Sequence, residues 1–297
     1  FGCPVALLSG GEPLMHPDIV GIARHAVEVG MRAVISTNGT LLTPAMAERL
    51  AQVGLSYIGA SLDGVRETHD HFRGVPGSYD RTIEGLRIAR AAGIKTGLRF
   101  TLTRRNVADI PAVFDLMSAE GIPRICFYHL VYTGRGECLV EEALPPDDTR
   151  RAVDLMIDRT SQLHRSGNPV EVLTVDNHCD GPHLYLRLLK EDPERAVEVM
   201  RLLEFNGGNN SGVGVAAVSW DGAVHPDQFW RSRVLGNVRE RSFRDIWTDS
   251  DNGFLMKLKE KKRHVTGRCA RCRFLDVCGG NLRARAEAVT GDPWAPD

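Results

Sequence analysis

From residue 4 to residue 166 the chain alternates short apolar runs with segments of helical period, and this order leaves little freedom in the fold. Residues 4–8, 33–37, 57–62, 96–102 and 124–132 read as strands, and residues 18–29, 44–53, 79–92, 107–120 and 149–166 as helices. Four of the helices run into glycine, at Gly30, Gly54, Gly93 and Gly121, where a left-handed residue ends a helix cheaply. Residues 65–78 are polar, contain Gly74, Pro76 and Gly77, and read as a loop. Strand–helix–strand repetition requires parallel strands joined by right-handed crossovers. The expected class is α/β, a partial (β/α) barrel with five visible units and a sixth expected upstream of Phe1.

Polar residues interrupt this pattern within strands or just beyond them: Gly10, Gly11 and Glu12, then Ser36 and Asn38, Ser61 and Asp63, Arg99, and His129. Ligands of α/β barrels and sheets sit at the carboxyl ends of strands, so these positions should gather at one mouth. Two adjacent glycines let a ligand reach backbone N–H and C=O groups, and Glu12 beside them offers an anionic acceptor for an ammonium group. A glycine pair alone reads more readily as a plain strand-to-helix turn. Arg99 is costly inside an apolar strand unless an anion pairs with it.

Beyond residue 176 the alternation stops. Polar, glycine-rich loops at 177–182 and 206–212 flank a helix-like stretch, and Asp221-Gly222 signals a hairpin. The expected domains are therefore 1–176 and an irregular 177–297. Three of seven cysteines fall in ten residues as C-x2-C-x5-C: Cys269, Cys272 and Cys278. Thiolates on a tight turn grip zinc or an iron–sulfur cluster, and spacing alone leaves both open, one ligand short of four. An odd cysteine count without a secretory segment points to a reducing, cytoplasmic setting. A net charge of −1 argues against nucleic acid, and no apolar run reaches the ~18 residues of a membrane span.

Ser9-Gly10-Gly11-Glu12-Pro13 resembles the motif with which radical S-adenosylmethionine (SAM) enzymes hold the methionyl amine of SAM. The resemblance implies a radical SAM partial barrel in which Gly10, Gly11, Glu12, Ser36, Asn38, Ser61 and Asp63 contact SAM and Arg99 meets its carboxylate. Cys278-Gly279-Gly280-Asn281 and the two cysteines before it resemble the SPASM and twitch domains that follow such barrels. This implies that Cys269, Cys272 and Cys278 hold an auxiliary 4Fe-4S cluster. Hairpins of SPASM domains carry a cysteine where Asp227 follows Pro226 here, which implies a twitch-type domain with one auxiliary cluster. Its fourth ligand is expected after Asp297, with Asp227 as a minor alternative. The C-x3-C-x2-C triplet of the radical SAM 4Fe-4S cluster does not occur among these residues and is expected upstream; a fragment without it should be inactive.

Further motifs narrow the resemblance: Leu130-Val131-Tyr132-Thr133-Gly134-Arg135-Gly136, Val175-Asp176-Asn177-His178, Asn206-Gly207-Gly208-Asn209, His225 to Trp230, and Gly291 to Ala295. They resemble the radical SAM enzymes of haem d1 biosynthesis (the NirJ group) and their AhbC and AhbD relatives. The implied reaction turns propionate side chains of 12,18-didecarboxysiroheme into oxo groups through a 5′-deoxyadenosyl radical. Decarboxylation of coprohaem or didecarboxysiroheme is the first alternative; a peptide-modifying maturase and a non-catalytic iron–sulfur or zinc module follow. His129, Arg135, His178, His225 and Trp230 are the candidate contacts to an iron-tetrapyrrole substrate. A flavodoxin or ferredoxin is the expected electron donor.

Overall fold

The computed structural model describes residues 2–297. It divides into two compact units: one runs to His129 and resumes over Glu142–Val175, and the other comprises Leu130–Glu141 and Asp176–Asp297.

The first unit is built from β1 (Val5–Leu8), α1 (Ile19–Glu28), β2 (Arg32–Thr37), α2 (Pro44–Gln52), β3 (Tyr57–Ser61), α3 (Glu67–Arg73), α4 (Ser78–Ala91), β4 (Lys95–Leu102), α5 (Ile110–Glu120), β5 (Arg124–His129), α6 (Pro146–Arg165) and β6 (Glu171–Val175). All six strands pair in parallel in sequence order, β1 to β6, and β1 and β6 each have one neighbour, giving an open half-barrel. Strand alternation sends Ala33, Ile35, Ile58, Ala60, Leu98, Phe100, Leu102, Ile125 and Phe127 to one face. There they meet the apolar sides of the helices: Ile19, Ala23 and Leu50 beside β2, and Ile83, Leu86, Val113, Phe114 and Met156 beside β4 and β5. Thr43 caps α2 by accepting from the Met46 N–H, with Pro44 at the first helical position.

A sixth parallel strand, β6, follows the five expected within the chain. The stretch expected as a loop contains α3. Only His69 of that helix is buried, so hydrophobic period cannot announce it. Hydrogen bonds hold the region instead. Asp70 accepts from Gly77 N–H (2.5 Å), Tyr79 N–H (2.8 Å) and Ser78 Oγ (2.9 Å), and the His69 ring Nδ1 accepts from Asp63 N–H (3.1 Å).

The second unit contains α7 (Asp180–Glu191), α8 (Pro193–Asn206), a three-stranded antiparallel sheet of β7 (Ala217–Val218), β8 (Ala223–His225) and β9 (Gly236–Asn237), and the short helices α9 (Phe243–Trp247), α10 (Gly253–Lys259), α11 (Gly267–Ala270), α12 (Leu275–Cys278) and α13 (Arg283–Thr290). The Asp221-Gly222 hairpin forms as expected, whereas α7 replaces part of an expected loop. Segment Leu130–Glu141, expected to stay with the barrel, belongs to this unit; Val131 packs with Trp230, Leu258, Leu282 and Ala284. No described helix is long and apolar enough to cross a membrane.

Burial pulls the His69 pKa from 6.5 down to about 4. Between those values the unfolded chain binds more protons than the folded one, so the stability is complete above about pH 6.5 and declines as pH falls toward 4. Melting scans should show a loss on the order of 3 kcal/mol across that window from this residue. In His69→Asn, whose oxygen can still accept from Asp63, that share of the pH slope should vanish.

Candidate active site and candidate metal site

Gly10 and Gly11 leave the end of β1 with open space where side chains would stand, and Gly10 has a φ of +140°, which excludes most L-residues. Glu12 follows and is clasped from three sides. Its Oε1 accepts from Leu14 N–H (3.1 Å) and Thr37 Oγ1 (2.5 Å), and its Oε2 accepts from Asn38 N–H (2.7 Å). The carboxylate thus ties the β1 loop to the end of β2, and Thr37 is a partner that motif reading missed. One lone pair of Oε2 remains for a further donor.

Three expected contacts also have places in the fold's own bonding or packing. Asp63 is 1% exposed, ion-pairs with Arg73 and accepts from Thr101 N–H (2.9 Å), so it braces the ends of β3 and β4 and offers nothing to a ligand. The Asn38 side-chain oxygen accepts from both Thr40 N–H and Thr40 Oγ1 (2.8 Å each), closing its own turn. His129 ends β5 on the face of Ile125 and Phe127, buried, away from the face that carries Arg99.

The face opposite the helices carries Ser36, Ser61, Arg99, Cys126 and Tyr128, with Ser61 beside Arg99 and Arg99 beside Cys126 in the register. The Arg99 guanidinium lies 4.4 Å from the Tyr128 ring centroid, a cation–π contact, and no carboxylate pairs with it among the described residues. Gly59 makes room for it: a Cβ there would come within 3.0 Å of Arg99 Cδ. Tyr57, Cys126 and Tyr128 were not singled out from sequence, although alternation from Arg99 across the register would have found the last two. Burial raises the Tyr57 phenol to about 12 and pushes the Cys126 thiol up, so both stay protonated near neutrality.

In the second unit, Cys278 closes α12 and Cys269 lies in α11. Cys179, at the N-cap of α7, brings its sulfur 4.0 Å from that of Cys278, a neighbour the motif did not show. A hydrogen bond from Cys179 lowers the Cys278 pKa, and the N–H groups of Asn281 and Gly280 assist. No three His, Cys, Asp or Glu side chains among the described residues converge tightly enough for a single ion. A multi-iron cluster makes a different demand, for spaced thiolates with compensating positive charge. Arg283 provides that charge. It is fully buried, donates to the carbonyls of Gly280, Pro293 (3.0 Å) and Ala295 (2.7 Å), and keeps an Nε–H without a partner among the described residues. Burial lowers its pKa, while Cys269 and Cys278 act in the opposite direction. A buried cation with an unspent donor within electrostatic reach of two thiols fits an anionic, thiolate-held group.

The remaining candidates are mostly internal. His225 is 4% exposed, with one ring nitrogen bonded to Ser219 Oγ (2.8 Å) and the other to the Arg233 carbonyl (3.1 Å), so it has no free position for an axial bond. Trp230 is 1% exposed and donates to Glu287 (2.5 Å), which makes it core rather than substrate surface. Asp227 is held by Ser211 and by Phe229 N–H (2.9 Å), inside the hairpin. His178 is half-buried, its pKa lowered to about 4 by burial, and its N–H donates to Asn281 (2.7 Å). The side chain of Arg135 lies outside the described residues.

Gly208 fixes the approach to the cysteines. Its φ is +76°, a Cβ would stand 2.2 Å from the Cys278 carbonyl carbon, and Asn209 N–H donates to the Cys278 carbonyl (3.1 Å). Gly208→Ala should therefore cost about 1–3 kcal/mol in denaturant unfolding and reduce iron retention after anaerobic reconstitution. Gly214→Ala, which meets nothing closer than 3.7 Å, should change neither.

Residues 1–117 match the Radical SAM superfamily and residues 211–273 match SPASM, an iron–sulfur cluster-binding domain. Fe-coproporphyrin III synthase of Methanosarcina barkeri is 59% identical over 300 residues, covering 100% of this chain and 75% of that protein. Pre-heme d1 synthase of Dinoroseobacter shibae is 40% identical over 299 residues, covering 100% of this chain and 74% of that one. The crystal structure of Streptococcus suis SuiB bound to S-adenosylmethionine shares the fold, with a TM-score of 0.73 at 19% identity over 99% of this chain and 65% of that one. SAM and 4Fe-4S clusters are the cofactors these domains use, and the open Gly10-Gly11 backbone, unpaired Arg99 and the thiols beside Arg283 fit them. By its likeness to whole relatives and by its two domains, the chain belongs to the radical SAM superfamily, in the group of haem-biosynthesis enzymes carrying a SPASM-type iron–sulfur domain.

Proposed function

We propose that this chain removes acetate side chains from an iron tetrapyrrole, with didecarboxysiroheme as substrate and Fe-coproporphyrin III as product. The observation that carries the reading is the 59% identity to Fe-coproporphyrin III synthase along the full chain. The 40% identity to pre-heme d1 synthase gives weaker support to the oxo-forming reaction on propionates. When bound, SAM and its reduced 4Fe-4S cluster supply the abstraction of a hydrogen atom from an unactivated carbon. The chain's residues bind and orient. The free backbone of Gly10 and Gly11 receives the amine of SAM, on a loop that Glu12 holds against Thr37 and Asn38. Arg99, stacked on Tyr128 and lacking a carboxylate of its own, receives the SAM carboxylate. Tyr57, kept protonated by burial, and Tyr128 give the same face aromatic area for a flat macrocycle. A flavodoxin or ferredoxin is the proposed source of electrons.

Product masses test the reading. The reconstituted holoenzyme, given SAM, a low-potential reductant and didecarboxysiroheme, should yield the mass of Fe-coproporphyrin III, the substrate having lost its two acetate side chains and kept its four propionates. Oxo groups in place of propionates would overturn it for the haem d1 reaction, and vinyl groups formed from coprohaem would overturn it for haem synthesis. Arg99→Ala should weaken SAM binding about 10- to 100-fold by titration calorimetry, the loss of one or two charge-assisted hydrogen bonds. Its melting temperature should hold, since no carboxylate among the described residues pairs with Arg99.

A further inference from the structure

We propose that residues 257–273, with the hollow beside Phe274, form the docking surface for a small acidic protein that carries one electron and delivers it at the C-terminal cysteines. The proposal rests on reading the chain as a reductant-dependent radical SAM enzyme, and it names where the electron donor binds. The chain as a whole has a net charge of −1, yet residues 257–273 hold eight lysines and arginines against a single glutamate. Seven of the eight are exposed; Lys261 alone is buried, its amine donating to the Asn209 carbonyl (2.8 Å). Lys262 pairs with Asp276 at 3.5 Å and Arg263 with Glu260 at 3.1 Å, and both pairs are open to water, where such contacts hold the charges only weakly. Lys257, Arg271 and Arg273 meet no carboxylate among the described residues. Gathering so many like charges costs self-repulsion, which an acidic partner relieves.

The cations lie around the thiols. Cys272 is exposed between Arg271 and Arg273, and Cys269 follows Arg268. Lys262 reaches the next turn of the same segment, its amine donating to the Asp276 carbonyl (2.8 Å), two residues before Cys278. Lys259, Lys262 and Arg263 line an open cavity of about 340 Å³ that Gly279, the residue after Cys278, also lines. Apolar surface adjoins the charge. Tyr185, Leu189, Met200 and Phe274 line a second hollow of about 300 Å³, with Arg273 at its rim. The Arg273 guanidinium lies 4.8 Å from the Phe274 ring centroid, and Tyr185 meets that ring edge-on at 6.0 Å. An apolar centre with a charged rim is the anatomy of a protein interface, and steering by charge speeds the encounters of weakly bound electron-transfer pairs. In the step itself the carrier gives up one electron and is oxidised, the C-terminal cluster takes it and is reduced, and no bond or proton moves.

Stopped-flow mixing of the reconstituted holoenzyme with pre-reduced flavodoxin, followed at the flavin's absorbance, tests the surface. The second-order rate should fall about 10-fold or more as ionic strength rises from about 0.01 M to about 1 M and the Debye length shrinks from about 30 Å to about 3 Å. Arg271→Glu combined with Arg273→Glu should lower the low-salt rate about 10-fold relative to the rate with dithionite, a small reductant that needs no docking surface. Lys257→Glu combined with Arg263→Glu, farther along the chain from the cysteines, should lower the same ratio, which keeps the test independent of any effect on the cluster. Arg24→Glu combined with Lys95→Glu makes an equal change of charge on exposed positions of the first unit and should leave the ratio near that of the unmodified enzyme. A carbodiimide should join Lys257 and Lys262 to flavodoxin carboxylates. Equal ratios in the patch and control variants, with no cross-link at these lysines, would overturn the docking surface alone. If neither reduced flavodoxin nor reduced ferredoxin passes electrons to the unmodified holoenzyme at any salt concentration, the donor reading itself fails, and the surface with it.

Discussion

A parallel sheet buries its backbone only if something covers both faces, and in the first unit the helices cover one. Ile35, Ile58, Leu98, Phe100, Ile125 and Phe127 account for that face. The other carries Ser36, Ser61, Arg99, Cys126 and Tyr128, a polar and aromatic strip where an ordinary parallel sheet would be aliphatic. A half-barrel that keeps a cation at this place without a carboxylate has left a position for an anion that the chain does not supply. The barrel site depends on that asymmetry between the two faces.

The carboxylates near the strand ends do different work from the arginine. Glu12 accepts from Leu14, Thr37 and Asn38, Asp63 from Thr101, Asp70 from Gly77, Ser78 and Tyr79, and Asp109 from Val65 (2.9 Å). Each spends its charge on N–H or O–H donors of neighbouring segments. These bonds hold the loops at the sheet's mouth, and rigid loops can present backbone groups to a ligand at fixed spacing. Glu12 alone combines such bracing with a motif position beside open glycine backbone.

In the second unit the same logic runs through backbone contacts. Gly208 packs on the Cys278 carbonyl, Asn281 bridges to Asn177 and His178, and Arg283 binds three carbonyls around the turn. Trp230 and Arg233 anchor the hairpin to α13 through Glu287. Residues that looked like substrate contacts by motif, His225 and Trp230, are parts of this frame. Their motif was legible because the frame is specific, and its reading as a binding surface was wrong for the same reason.

The amino-acid order by itself determined the alternation of strands and helices, the helix stops at glycine, the Asp221-Gly222 hairpin and the grouping of three cysteines, because each is set by period, local turn geometry or short spacing. It could not show α3, whose only buried residue is His69, or the short β6, or the passage of Leu130–Glu141 into the second unit. Burial decided the fate of the polar candidates: Asp63, His129, His225 and Trp230 went inside, while Arg99 kept an open guanidinium. Only the folded chain brings Cys179 to Cys278, since a contact between residues ninety-nine apart arises from packing and leaves no mark in local sequence.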